Sequence, residues 1–249
     1  MAEPLLRVSG LTKRFGAFVA NSGIDLAVAP GEVHAVIGPN GAGKTTFIGQ
    51  IAGELAPSAG RIAFEGRDIS ALPPYRRAAL GLARTFQITS VFRSFSALEN
   101  VAIAAQGLAG SSFGMWSAAD ADAELNRRGR GALELAGLAG RAAEPCMALS
   151  HGEHRQLEIA MAFVNRPKLV LLDEPTAGMG PEESQQVLAL LRRLKGGQGI
   201  ILVEHDMEVV FAISDRVTVL VNGAVIASGS PAEIRANPAV RAAYLGDNT

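Results

Sequence analysis

The chain predicts an α/β protein built on a mainly parallel sheet, and three observations carry that expectation. Residues 33–37, 169–172 and 200–203 are short apolar runs of the kind that form strands buried on both faces. Each is followed by a segment of helical character, the alternation that builds parallel sheets. The stretch Gly38-Pro39-Asn40-Gly41-Ala42-Gly43-Lys44-Thr45-Thr46 joins the first of these strands to a helix and fits G-x-x-x-x-G-K-[ST].

In chain order, residues 5–9 and 24–28 read as short strands, separated by a turn around Gly16 and the polar run Asn21-Ser22-Gly23. Residues 33–37 enter the glycine-rich loop, and a helix follows over 46–51. Residues 61–64 form a further strand ending in the turn 65–68; Pro73-Pro74 then interrupts regular structure before a short helix over 75–80, closed by Gly81. Residues 95–145 are alanine-rich, with Leu98, Val101 and Ala105 at helical spacing, and predict a helical insert with a loose loop near 107–117. Ser150 with Glu153 three residues on is a capping box opening the next helix. The strand 169–172, a helix over 181–194, the strand 200–203 and a helix over 207–213 come next. Strand 216–221 turns at Asn222-Gly223 into its hairpin partner 224–227. The expected division is one unit over 5–249: a core of 5–87 and 150–230 that includes the antiparallel part, a helical subdomain of about 88–149, and a C-terminal extension 231–249.

The loop carries the clearest chemistry. Backbone N–H groups of Asn40, Gly41, Ala42, Gly43, Lys44, Thr45 and Thr46 can surround a polyphosphate above a helix N-terminus. Lys44 reaches the β- and γ-phosphates, and the Thr45 hydroxyl ligates Mg²⁺. Asp173 ends a buried strand and suits the same cation, while Glu174 can polarise an attacking water. The Gln87 amide can touch the metal or that water, and His205, past a buried strand, can donate to the γ-phosphate. The helix start at Ser150, Gly152 and Glu153 can hold a further phosphate.

Composition narrows the classes. The 249 residues are 48% hydrophobic and 19% charged, as in a globular protein, and the net charge of −1 argues against a general nucleic-acid binder. No stretch approaches a membrane span, and the start, with Glu3 and Pro4, lacks an apolar leader. Cys146 is the only cysteine, so no internal disulfide forms, which fits cytosolic residence. No His/Cys cluster has zinc-ligand spacing.

The loop, Gln87, Leu149–Glu153, Asp173-Glu174 and His205 occur in the order of Walker A, Q-loop, signature, Walker B and H-loop, and on these the chain resembles the ATP-binding-cassette ATPases from about Leu5 to its end. The resemblance implies their fold, with Phe15 as the aromatic that stacks on adenine. It also implies a head-to-tail dimer in which each ATP meets the loop of one subunit and the signature of the other. Further matches at Leu157–Ala160, Thr176–Met179, Val203–Met207, Gly229–Ile234 and Tyr244–Gly246 are similar to the LivG type, the ATP-binding subunits of branched-chain amino acid importers; the urea importers share several of them. That likeness implies two membrane permease subunits, a second ATPase subunit (a paralogue or this chain itself), an external solute-binding protein, and a place on the cytoplasmic face of the inner membrane. Two departures stand out: the general Leu-Ser-Gly-Gly-Gln reads Leu-Ser-His-Gly-Glu, which brings the Glu153 carboxylate towards the nucleotide, and Gly180 replaces the usual D-loop Asp or Asn.

Overall fold

The computed structural model describes residues 3–85, 91–107 and 123–245. Its elements are β1 (Leu6–Phe15), β2 (Phe18–Val28), β3 (Val33–Ile37), α1 (Lys44–Ala52), β4 (Ala59–Phe64), β5 (Arg67–Asp68), α2 (Pro74–Ala79), β6 (Leu82–Arg84), α3 (Ala97–Gln106), α4 (Ala123–Leu135), α5 (His151–Phe163), β7 (Leu169–Asp173), α6 (Pro181–Leu194), β8 (Gly199–Val203), α7 (Met207–Ile213), β9 (Arg216–Val221), β10 (Ala224–Gly229), α8 (Pro231–Ala236) and α9 (Pro238–Leu245). Two short 3-10 turns, Ala139–Arg141 and Cys146–Ala148, lie between α4 and α5. No described helix is long and apolar enough to cross a membrane.

The strands form two sheets, a four-stranded one ordered β2-β1-β4-β5 and a six-stranded one ordered β10-β9-β3-β8-β7-β6. The first is antiparallel; in the second only the β9–β10 hairpin at the edge is antiparallel and every other pairing is parallel. Every residue of β3, β7 and β8 is buried, which is why their sequences lack polar alternation. Alternate residues still serve different cores. Leu169 and Leu171 face a cluster holding Phe47, Ile48 and Ile51 of α1 and Val8, Leu11 and Ile62 of the antiparallel sheet. Val170 and Leu172 face the opposite cluster, with Leu157 and Phe163 of α5, Val187 and Leu191 of α6, and Val101 of α3. The helix after the glycine-rich loop is thus wedged between the two sheets, and its N-terminus is fixed in position by burial on both sides.

Some elements differ from expectation. The first two strands run well beyond 5–9 and 24–28 and meet in a hairpin at Gly16-Ala17. Their outer halves carry polar residues such as the half-buried Lys13 and the exposed Arg14, and the β1–β2 register shifts three times, so the alternation is lost in sequence. Asn21, expected in a turn, is a fully buried strand residue. β6, a three-residue strand paired with β7, was not expected, being too short to show a period. Residues 108–117 of the expected loop lie outside the described residues, as does Gln87.

Candidate nucleotide and hydrolysis site

The loop between β3 and α1 is gripped on two sides. A Cβ on Gly43 (φ +97°) would meet Ala20 O at 2.4 Å and Asn21 Nδ2 at 2.5 Å, so only glycine fits beside β2. Asn21 Nδ2 donates to Gly43 O at 3.1 Å, and Gly223 N at the β9–β10 turn donates to Ala42 O at 3.1 Å. Gly41 has open space around it, so the loop's outer rim is bare while its base is clamped. No side chain caps α1, which leaves the first-turn N–H groups of Lys44, Thr45 and Thr46 to an anion. Lys44 is 7% exposed, and its Nζ donates to Gly38 O at 2.7 Å and Pro39 O at 3.1 Å. Burial lowers its pKa, against the opposing pull of Glu174 and Asp173. One cation thus faces two carboxylates at the mouth of the loop.

Asp173 ends β7 with 1% of its surface exposed. Its Oδ2 accepts from Arg84 Nη2 at 3.1 Å, and its Oδ1 is buried without a partner. Among the described residues no group of three or more His, Cys, Asp or Glu side chains converges on a metal-sized site. An unsatisfied carboxylate oxygen and the exposed Thr45 hydroxyl are hard oxygen donors, and they fit Mg²⁺ shared with phosphate oxygens better than an all-protein cage.

Glu174 stands in the left-handed region (φ 48°), a costly conformation for a residue with a side chain. Three contacts hold it there: its N donates to Val203 O at 2.9 Å, and Arg155 Nη2 donates to the carbonyls of Asp173 and Glu174, each at 2.7 Å. His205 follows β8 with its ring largely exposed, and its Nδ1 lies 4.0 Å from Glu174 Oε1. The carboxylate and the imidazole are neighbours, both partly open to solvent.

Glu204, one residue earlier, is fully buried and binds across both loops. Its Oε1 accepts from Thr176 N at 2.9 Å and Thr176 Oγ1 at 2.5 Å, and its Oε2 accepts from His205 N at 3.1 Å. Three donors to one buried carboxylate make a strong lock. Glu204→Ala is expected to destabilise the chain by about 3 kcal/mol, read from urea unfolding, and to lower turnover because both loops loosen.

The signature sits at the start of α5. Ser150 Oγ accepts from Glu153 N at 3.2 Å, and Glu153 Oε2 accepts from Ser150 N at 2.8 Å. The other Glu153 oxygen pairs with Arg141 at 3.0 Å, so this carboxylate is turned onto its own helix and balanced by an arginine. Gly152 N donates to Glu183 Oε1 of α6 at 3.2 Å. The N–H groups of Ser150 and Gly152 are therefore held by carboxylates of this chain. Among the described residues no hydrogen bond or ion pair links Ser150, Gly152 or Glu153 to the glycine-rich loop. Phe15 stands half exposed at the end of β1, with Lys13 Nζ 5.0 Å from its ring centre.

Lys44, Asp173, Glu174 and His205 thus gather at the tips of adjacent parallel strands. Asn21, Arg84, Arg155 and Glu204, which hold these groups in place, were not expected from the sequence. Arg155 had a weak signal, lying on the helix that Ser150 opens; the others are ordinary polar residues until the chain folds.

The family model described as "ABC transporter" matches residues 22–177, and that described as "Branched-chain amino acid ATP-binding cassette transporter" matches residues 224–248. The high-affinity branched-chain amino acid transport ATP-binding protein BraF of Pseudomonas aeruginosa is 38% identical, over 99% of this chain and 100% of its own length. LivG of Escherichia coli K12, with the same description, is also 38% identical over 99% and 100%. A crystal structure of the ADP conformation of an ATP-binding cassette from an ABC transporter superimposes with a TM-score of 0.87 at 29% identity, covering 98% of this chain and 100% of the other. The chain belongs to the ABC transporter family, as one of its ATP-hydrolysing cassettes.

Proposed function

We propose that this chain energises import of branched-chain or other hydrophobic amino acids as the ATPase subunit of a membrane transporter. The match of residues 224–248 to the branched-chain amino acid cassette carries the substrate class, because that segment lies outside the motifs common to all cassettes. The site supports the motor. The loop N–H groups from Asn40 to Thr46 and Lys44 Nζ receive the phosphates of ATP, and Phe15 stacks on its base. Glu174 orients water for attack on the γ-phosphate, helped by Gln87, and His205 donates to that phosphate. Thr45 and Asp173, with Gln87, would hold Mg²⁺, which neutralises phosphate charge when bound.

Each ATP meets the signature residues Ser150, Gly152 and Glu153 of a second cassette, a paralogue or another copy, in a head-to-tail dimer. For that contact Glu183 must leave the Gly152 N–H. Closure of the dimer is passed to two permease subunits at the cytoplasmic face of the membrane, which take solute from an external binding protein. A groove of about 560 Å³ lined by Tyr75, Leu80, Met161 and Pro167 offers the permease an apolar seat. Urea is the second substrate reading, favoured by the Leu-Ser-His-Gly signature at Leu149–Gly152.

Uptake of labelled leucine and of labelled urea, in cells lacking this chain and in cells with it restored, decides between them. Leucine uptake is expected to fall at least about tenfold and to return with the wild-type chain. Selective loss of urea uptake would move the chain to the urea branch, and loss of neither would end the substrate assignment.

A further inference from the structure

Arg84 is the last residue of β6, and its guanidinium is divided between two carboxylates on different elements. Nη2 donates to Asp173 Oδ2 at 3.1 Å, at the tip of β7. Nη1 pairs with Glu54, just past the end of α1. The three side chains form a gradient of exposure: Asp173 at 1%, Arg84 at 10% and Glu54 at 38%. Arg84 and Glu54 both line the 560 Å³ groove, whereas Asp173 does not. One planar cation therefore spans from a solvent-open groove wall to the buried carboxylate at the phosphate loop.

A guanidinium pre-organised in a fork cannot serve two carboxylates equally when one partner changes. With Glu54 charged, part of the arginine's field is spent at the groove. With Glu54 neutralised or drawn away, Arg84 turns its full charge on Asp173 and competes with any cation there. The partnerless Oδ1 of Asp173 is the oxygen that a cation takes, and the Oδ2–Arg84 bond fixes the plane of the carboxylate.

We propose that Arg84 is a positioning residue that sets the cation affinity of Asp173 according to the charge at Glu54, so that the groove wall and the hydrolysis site are electrostatically linked. This rests on the reading of Asp173 as the cation-binding carboxylate. It adds a charge relay running through Glu54 and Arg84. A partner that places a basic group against Glu54 weakens cation binding at Asp173, and one that leaves Glu54 free to hold Arg84 preserves it.

The test is Mn²⁺ binding to the full chain saturated with a non-hydrolysable ATP analogue, followed by electron paramagnetic resonance. Glu54→Gln is expected to weaken Mn²⁺ binding by about fivefold. The same change is expected to have no effect in an Arg84→Met background, because the relay is gone. Arg84→Lys replaces Arg84→Met if the latter does not fold; a single ammonium cannot bridge both carboxylates, so the Glu54→Gln effect should shrink below about twofold. Equal Mn²⁺ affinity for wild type and Glu54→Gln would overturn the proposal, as would an undiminished Glu54→Gln effect without Arg84. Asp173→Asn is the control: if it leaves Mn²⁺ affinity unchanged, the cation reading of Asp173 itself fails, which is a different failure. A merely structural role for Arg84 would shift thermal unfolding without making cation affinity depend on Glu54.

Discussion

Glu174→Gln is expected to lower ATP turnover by about 10²- to 10³-fold while leaving ATP affinity within about twofold of wild type. The substitution keeps the side chain's size and leaves the local backbone alone. The left-handed conformation at this residue is held by Val203 O and by Arg155 donating to two carbonyls, and none of these contacts uses the Glu174 carboxylate. What changes is chemical: an amide cannot orient water as an acceptor with full negative charge, and His205 loses the carboxylate 4.0 Å away. The ATP-loaded dimer should then persist. Single-turnover phosphate release measures the first effect, and light scattering of the variant with its cassette partner, with and without ATP, measures the second. Normal turnover in this variant would remove Glu174 from the mechanism.

Lys44→Ala is expected to weaken ATP binding by about 10²-fold, equivalent to roughly 3 kcal/mol for a charged group meeting phosphate. Lys44 is almost wholly buried, and its ammonium lies among loop carbonyls that cannot compensate its charge. Desolvation lowers its pKa while Asp173 and Glu174 hold it up, an environment that favours a ligand bringing further negative charge. The fold should survive, because the loop's base is clamped by Asn21 and Gly223 and not by the lysine. Isothermal titration with ATP gives the affinity, and thermal unfolding within a few degrees of wild type, roughly the span of 1 kcal/mol in a chain of this size, shows that the loss is local.

The contrast between these reactive groups and their supports explains what could be read from sequence. The buried strands β3, β7 and β8 were legible because burial on both faces makes their consecutive positions almost wholly apolar, the hydrogen-bonded His34 of β3 and the terminal Asp173 of β7 apart. The glycine-rich loop was legible because its phosphate-facing residues are consecutive, and the Ser150–Glu153 capping box because its two partners lie three residues apart. The long β1–β2 hairpin was not, since its outer half is solvated and its register shifts erase the alternation. The supports were hidden for another reason. Asn21 meets Gly43 across 22 residues, Glu204 meets Thr176 across 28, and Arg84 meets Asp173 across 89. A polar residue whose partner is that distant looks like any surface residue until the sheet order brings the strand tips together. The orientation of Glu153 towards Arg141 belongs to the same class: the sequence shows an added carboxylate but not the arginine that balances it.

The most direct measurement of the central claim is phosphate release and solute uptake recorded together in proteoliposomes. They would contain this chain with its permease and cassette partners, wild type against Lys44→Ala. The account predicts that the wild-type complex releases phosphate and accumulates leucine when the binding protein is supplied, and that Lys44→Ala abolishes both. Uptake that continues undiminished with Lys44→Ala, or phosphate release that is equal in the two complexes, would contradict it.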